Sequence, residues 1–470
     1  MRVAVVVIVG AIMSILDTTI VNVALETLSR DLHAPLSTIQ WVATGYLLAL
    51  ATVIPLTGWA AERFGPRRVW MTVVAGFVAT SALCGAAWSA ESLIAFRCLQ
   101  GLAGGMIMPI GMITLAQSAG PKRVGRVMSV VGVPMLLGPA LGPFIGGVIV
   151  TNLSWRWIFY VNLPIGLLGL VLAARLLPHG RAQGRHEGPA ELDWRGLLLL
   201  SPGVALVVFG LSEVAAHGSV SVERALPIVV GVALVAAFVV RAWHVRAPVV
   251  DVRLFEDGGF AAAGVTVFLV GASLFSALLL LPLYFQIGRG LSPLDAGLLI
   301  APQGLFAAVG MNRSGRLTDR IGGGPVVVGG LIVLLIGTFA FTQVHAGTPL
   351  WVLEVALAVR GLGLGFTMMP AMAAAYATLE RTQVPRATPM LNVLQRVGGS
   401  LGTAILAVVL QHQLTAAVGH GREGVAAAFA DTYWWVMAGT AVAIVPALVL
   451  ARTQRAAARR EAAAPVPSVG

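Results

Sequence analysis

One carboxylate lies deep inside an apolar run: Asp17, within LDTTIVNVAL from Leu16 to Leu25. A charge at the middle of a membrane-crossing helix costs about 2.5–3.5 kcal/mol on insertion scales, so it faces a partner or a water-filled cavity. Such a carboxyl can take up and release a proton, because burial favours its neutral form and a nearby cation its charged form. The same residue also fits a structural ion pair or a helix-linking hydrogen bond. Arg97 is the second costly charge, with Gln100 one turn further on and on the same helix face. Arginine stays protonated in proteins, so Arg97 can bind an anion or tune a carboxylate but cannot itself carry the proton. Alternatively, backbone carbonyls satisfy it or its side chain reaches outward.

Other polar groups interrupt the apolar runs. Glu213 is either a further protonatable group or an interfacial residue that reaches water, and Glu354 stands close to the outer end of its run. Tyr46, Gln100, Met108, Asn392 and Arg396 are candidates to line a substrate cavity; Asn392 and Arg396, four apart, share a helix face. Methionines and aromatics in such positions serve equally as packing. The sequence contains no CxxC, HExxH or P-loop pattern, and Cys84 and Cys98 read as small apolar filler. No metal and no cofactor is expected.

The elements that must hold these groups follow from composition. Of 470 residues, 57% are hydrophobic and 11% charged, against a charged share of about 25% in soluble domains. An ordinary soluble enzyme is excluded. Crossing a bilayer takes about 20 apolar residues, and the runs fall at 3–25, 40–60, 69–88, 91–115, 126–150, 157–177, 195–215, 225–245, 259–281, 294–313, 324–344, 349–376, 389–411 and 431–451. That predicts an all-α polytopic membrane protein with fourteen transmembrane helices. The first run contains Asp17 and no small-residue cleavage site, so it reads as a span and not as a signal peptide.

The net charge of +11 is sorted by side. With the N-terminus placed in the cytoplasm, inward loops collect clusters such as Arg63, Arg67 and Arg68, then Lys122, Arg123 and Arg126, then Arg313, Arg316 and Arg320. Outward loops hold only Arg30, Arg156, Arg224, Arg289 and Arg422. The positive-inside rule then sets both termini in the cytoplasm, as an even number of spans requires. The basic charge records topology and anionic inner-leaflet lipid, so a lipid bilayer is the expected partner and nucleic acid is not. One lysine beside thirty arginines points to a GC-rich genome.

Two motifs recur. Gly58-x3-Glu62-Arg63-x-Gly65 is matched by Gly315-x3-Asp319-Arg320-x-Gly322, 257 residues on. Arg97, followed by Met106 to Pro109, is matched by Arg360, followed by Thr367 to Pro370. Transporters with two related helical halves show this kind of duplication. The division expected is 1–177 for an N-terminal six-helix bundle, 178–258 for polar linkers and two extra central helices, 259–451 for a C-terminal six-helix bundle, and 452–470 for a tail. A last motif, GVPMLLGPALGPFIGG from Gly132 to Gly147, puts Gly138, Gly142 and Gly146 on one helix face with Pro139 and Pro143 beside them. Small faces let helices approach closely in a bilayer, and neighbouring helices satisfy the groups that proline frees.

Taken together these residues resemble the major facilitator superfamily, in its fourteen-helix drug:proton antiporter branch. The inner-loop signature falls on Gly58, Glu62, Arg63, Gly65 and Arg67, and the fourth-helix arginine on Arg97 with Gln100 and Gly101. The antiporter signature falls on Gly138, Gly142, Pro143, Gly146 and Gly147, and the first-helix pattern on Leu16, Asp17 and Thr19 to Leu25. The acid of the first inner loop is Glu62 where the family more often has Asp, and Glu26 stands where proline is usual. The resemblance implies alternating access between two six-helix bundles, with Asp17 and Arg97 taking part in proton coupling; Glu213 stands as a further candidate on its residue type and position alone. It further implies that the inner-loop charges, Asp319 and Arg320 included, latch one state, and that the glycine-rich fifth helix packs against the opposite bundle.

The expected function is a proton-coupled multidrug or antibiotic efflux transporter of a bacterial inner membrane. It would exchange protons for amphipathic or cationic organic compounds, powered by the proton gradient and working as a monomer. A dedicated exporter of one endogenous metabolite or self-made antibiotic is the alternative. A membrane sensor would be expected to carry a soluble output domain, and a membrane enzyme would need clustered catalytic groups, where the acids here are dispersed.

Overall fold

A chain that leaves water must close its backbone hydrogen bonds within each segment, and the apolar runs do so as helices. A computed structural model describes residues 2–119, 129, 142, 145–177, 192–380 and 382–463. The first helices are α1 (Arg2–Asp31), α2 (Leu36–Val53), α3 (Leu56–Phe64), α4 (Pro66–Gly85) and α5 (Ala90–Ala119). A single turn at Trp157–Tyr160 leads into α6 (Asn162–Leu176), followed by α7 (Trp194–His217) and α8 (Val222–His244). Then come α9 (Gly258–Leu283), α10 (Pro293–Ile321), α11 (Gly323–Phe339), α12 (Leu350–Gly365), α13 (Met368–Ala377), α14 (Val384–Ala416) and α15 (Gly421–Ala463). The described residues contain no strand.

Eleven of these helical stretches are long and apolar enough to cross a membrane, or twelve if the bent pair α2 and α3 is one span. Helix α10 occupies the predicted run 294–313 but is not among them, and most of the run 126–150 lies outside the described residues. The described residues thus give eleven or twelve spans where the sequence has fourteen apolar runs. Linker residues 178–191, Gly138, Pro143 and the tail beyond 463 also lie outside them.

Proline and glycine set the local breaks. Helices α2 and α3 meet at 55° where Pro55 removes a backbone donor and its ring crowds the preceding turn. Gly65 ends α3 at φ 84° and Gly322 ends α10 at φ 86°. That region strains any L side chain, which explains why both copies of the inner-loop motif finish on glycine.

Glycines also set the packing register. A Cβ at Gly101 would strike the Tyr46 carbonyl oxygen, and one at Gly105 that of Leu50, so α5 lies against α2 with no side chain between them. In the same way Gly361 meets the Gln303 carbonyl and Gly365 that of Ala307, which seats α12 on α10. The register matches Tyr46 with Gln303 and Gly101 with Gly361. It therefore sets Arg360 in the place of Gln100, one turn from the place of Arg97 that the sequence repeat suggested.

A second glycine contact also repeats. Gly398 and Gly402 of α14 lie against the Phe268 and Ala272 carbonyls of α9, while Gly142 and Gly146 lie against Thr19 and Ile20 of α1. Of the glycine-rich fifth run, the described Gly142 and Gly146 face α1 and Gly147 faces open space; the packing of that run on the opposite bundle rests on positions outside the described residues.

Helices α7 and α8 lie back to back through Gly203, Gly210 and Gly231, and α7 rests on α14 and α2. Trp41 and Phe209 stack at 6.0 Å across the α2–α7 contact. Asp193 caps the α7 N-terminus by accepting from the Gly196 N–H at 3.0 Å, and takes the Arg241 guanidinium of α8 at 2.8 Å. Val222, Leu226, Val229 and Val240 of α8 are exposed apolar side chains, as a lipid-facing helix requires.

Candidate functional site

Asp17 is fully buried and is the hub of a polar network in an otherwise apolar region. Arg97 donates from Nη1 to Asp17 Oδ2 at 2.7 Å and from the same nitrogen to Gln100 Oε1 at 2.7 Å. Gln100 Nε2 and Asn162 Nδ2 donate to Asp17 Oδ1 at 3.0 and 2.9 Å. Asn162 also donates to Ser81 Oγ at 3.1 Å, and Ser81 donates to the Phe159 carbonyl at 2.9 Å. One carboxylate thereby joins α1, α4, α5 and α6. Breaking such a buried pair by removing one partner costs about 3–5 kcal/mol, so the network is coupled to the relative positions of four helices.

Arg97 is held on its other faces too. Its Nε donates to the Val42 carbonyl at 3.2 Å, and its guanidinium carbon lies 3.9 Å from the centre of the Tyr46 ring. Both partners belong to α2. Tyr46 was expected to line a cavity and is instead fully buried against Arg97, its hydroxyl without a partner among the described residues. Gln100, expected in the cavity as well, is fully buried in the Asp17 network.

The remaining candidates lie elsewhere. Arg396 is half-buried on α14, while Asn392 donates to the Thr388 carbonyl of its own helix at 2.9 Å. Met108 packs against the large apolar core that α1, α5, α9 and α14 share. Glu213 stays outside the network: its side chain is 38% exposed and lies 3.8 Å from His217 one turn away on α7.

The two repeats meet different partners at the end that carries both termini. Arg386 of α14 holds Glu62 of α3 in a two-point pair, Nε to Oε1 at 2.9 Å and Nη2 to Oε2 at 3.3 Å. Gly58 makes room for it, since a Cβ there would fall 2.5 Å from the Pro385 carbonyl oxygen. The longer glutamate side chain is thus fully engaged. Arg67 reaches from the head of α4 to the Ala174 carbonyl at 2.8 Å, whereas Arg63, Asp319 and Arg320 are exposed. The Glu62–Arg386 pair borders a small cavity together with Trp59, Leu192, Asp193 and Val249.

Asn162 and Ser81 belong to the network and were missed in the sequence. Asn162 follows the aromatic stretch from Trp155 to Tyr160, which draws the eye to the interface, and a lone serine in an apolar run carries little weight. The available signal was an amide heading an apolar run, where it must find a buried partner.

The family model described as Major Facilitator Superfamily matches residues 7–403. A multidrug resistance protein B homolog of Mycobacterium tuberculosis is 43% identical over 417 residues, covering 88% of this chain and 76% of that protein. The tetracenomycin C resistance and export protein of Streptomyces glaucescens is 30% identical over 403 residues, 86% of this chain and 74% of that one. Among solved structures, the human organic anion transporter MFSD10 superimposes with a TM-score of 0.66 at 18% identity, covering 96% of this chain and 99% of that chain.

Proposed function

The chain belongs to the major facilitator superfamily of membrane transporters and is not an enzyme, and from that premise we propose that it exports organic compounds in exchange for protons. The observation that carries this reading is the buried Asp17 with its three donors, Arg97, Gln100 and Asn162. A proton reaching Asp17 removes the charge that Arg97 is paired with, and Arg97 keeps its own. The two charge states of Asp17 then favour different arrangements of α1, α5 and α6, which is the condition for a proton gradient to drive a conformational cycle.

Helix α2 supplies the link to the gate. It contacts Arg97 through Val42 and Tyr46 and continues through the Pro55 bend into α3, where Glu62 holds Arg386. Release at Asp17 and opening at Glu62 are two ends of one bent element. In this reading the termini face the cytoplasm of a bacterial inner membrane, the Glu62–Arg386 pair closes the cytoplasmic side, and the working unit is a monomer. Glu213 acts as an additional titratable group near the outer end of α7.

Amphipathic or cationic drugs are the proposed substrates. The similarity to a tetracenomycin C export protein favours a second reading, export of one endogenous or self-made antibiotic. The test is accumulation of a fluorescent cationic dye in everted vesicles driven by an inside-acid gradient, with and without a protonophore. Accumulation that the protonophore abolishes supports antiport; its absence across several dyes, with folded protein, moves the reading to a single dedicated substrate.

A further inference from the structure

Arg360 is fully buried in the C-terminal half, and its Nε, Nη1 and Nη2 have no hydrogen-bond partner among the described residues. Its situation is the opposite of Arg97, which has a carboxylate, an amide, a carbonyl and an aromatic ring around it. At the 257-residue offset, α9 carries Leu274 where α1 carries Asp17, and the adjacent Ser273 is paired with Thr440 at 3.0 Å. On the helices around Arg360, Asp295 and Asp319 of α10, Glu354 of α12, and Glu423 and Asp431 of α15 lie on exposed faces. A guanidinium stays charged, and a buried charge without a counter-charge is strongly destabilising.

The surroundings offer donors. Gly337 of α11 lies against the Arg360 backbone one turn before Phe341, and Tyr433, which packs on Phe341, is fully buried with its hydroxyl unpartnered among the described residues. Its ring lies 4.9 Å from that of Phe341, which lies 6.4 Å from Tyr284. Tyr284 is fully buried, and the Arg289 backbone N–H donates to the Tyr284 carbonyl at 3.1 Å. Arg289 donates to the Thr348 carbonyl at 2.7 Å at the end of the bundle remote from the termini. Arg360, Tyr433, Tyr284 and Arg289 thus succeed one another around Phe341 from the bundle interior to its rim.

We propose that the C-terminal half binds a small monovalent inorganic anion of the chloride class, held between the Arg360 guanidinium and the Tyr433 hydroxyl and reached past Tyr284 and Arg289. A fully buried guanidinium leaves no room for a bulky organic acid, which selects a compact ion. The anion supplies the counter-charge that α9 lacks, so binding stabilises the folded state by mass action.

The test is thermal unfolding of the purified full-length protein in non-ionic detergent, with chloride replaced stepwise by gluconate at constant ionic strength. The midpoint is expected to rise with chloride or bromide and to saturate. Arg360→Gln is expected to lose that response and to melt in gluconate no lower than the parent protein. Tyr433→Phe is expected to keep the response with an apparent affinity about tenfold weaker, the effect of one lost hydrogen bond to a charged group. Equal midpoints in chloride and gluconate overturn the site, as does a chloride response that survives Arg360→Gln. Should Arg360→Gln fail to fold, Tyr433→Phe decides: an unchanged apparent affinity overturns the assignment.

Discussion

Glu62 and Arg386 are 324 residues apart in sequence and form a two-point ion pair, at 2.9 and 3.3 Å, between α3 and α14. The pair joins elements from the two repeats, so it opposes any motion that separates them at this end. Its side chains are 22% and 24% exposed, which leaves the charges partly solvated and the pair of moderate strength. In the proposed cycle a contact of that size suits a latch that opens and re-forms.

Glu62→Gln and Arg386→Gln are each expected to lower transport several-fold and to loosen this end of the molecule. The double variant is expected to show less than the sum of the two losses, with a coupling of about 1 kcal/mol in a double-mutant cycle. Thiol accessibility of a cysteine placed at Trp59 measures the opening. Strict additivity in transport and accessibility would refute the latch.

Asp17→Asn is expected to abolish gradient-driven accumulation and to destabilise the fold by about 3–5 kcal/mol, because Arg97 loses its counter-charge. The pair Asp17→Asn with Arg97→Gln is expected to regain most of that stability without regaining coupling. Detergent melting curves and vesicle uptake, run side by side, separate the two effects. Coupled uptake by the double variant would show that the proton is carried elsewhere.

Glu213→Gln is expected to reduce accumulation less than Asp17→Asn does. The Glu213 side chain is already 38% exposed and pairs with His217 one turn away on its own helix, so its charge state has little hold on helix positions. Initial uptake rates at matched expression check this. An equal loss in both variants would raise Glu213 to the same rank.

Asn162→Ala removes one donor to Asp17 and one to Ser81. It is expected to cost about 1–3 kcal/mol of stability, the range for leaving a buried polar group unsatisfied. Asn162→Ser is expected to recover part of the loss. Melting temperatures equal to the parent for Asn162→Ala would remove the residue from the network.

Gly361→Ala is expected to destabilise by about 1–3 kcal/mol, since the added methyl meets the Gln303 backbone. Gly147→Ala, with nothing within 4 Å of the new carbon, is expected to stay within about 0.5 kcal/mol. Comparing the two melting curves tests whether the glycine contacts set the α10–α12 register.

Much of this protein is legible in its residue order. Apolar length dictates helices in a bilayer, because a backbone without water must bond to itself, and proline and glycine mark where those helices bend or end. Asp17 and Arg97 announce themselves because a charge in such a run is too costly to be incidental. The Gly-x3-acid-Arg-x-Gly motif stands twice in the sequence, and its last glycine has a backbone reason in the positive φ of Gly65 and Gly322.

What tertiary structure alone decided is which groups meet. Asn162 joins Asp17 across 145 residues, and Tyr46 turns from a cavity wall into a lid on Arg97. The sequence repeat equates Arg360 with Arg97, while the glycine register equates it with Gln100 and leaves its charge unanswered. Spacing along a helix specifies a face and a depth. Which neighbour fills that face depends on the rotation and height of another helix, and those are set by close backbone approaches at glycines such as Gly101 and Gly361, far apart in the chain.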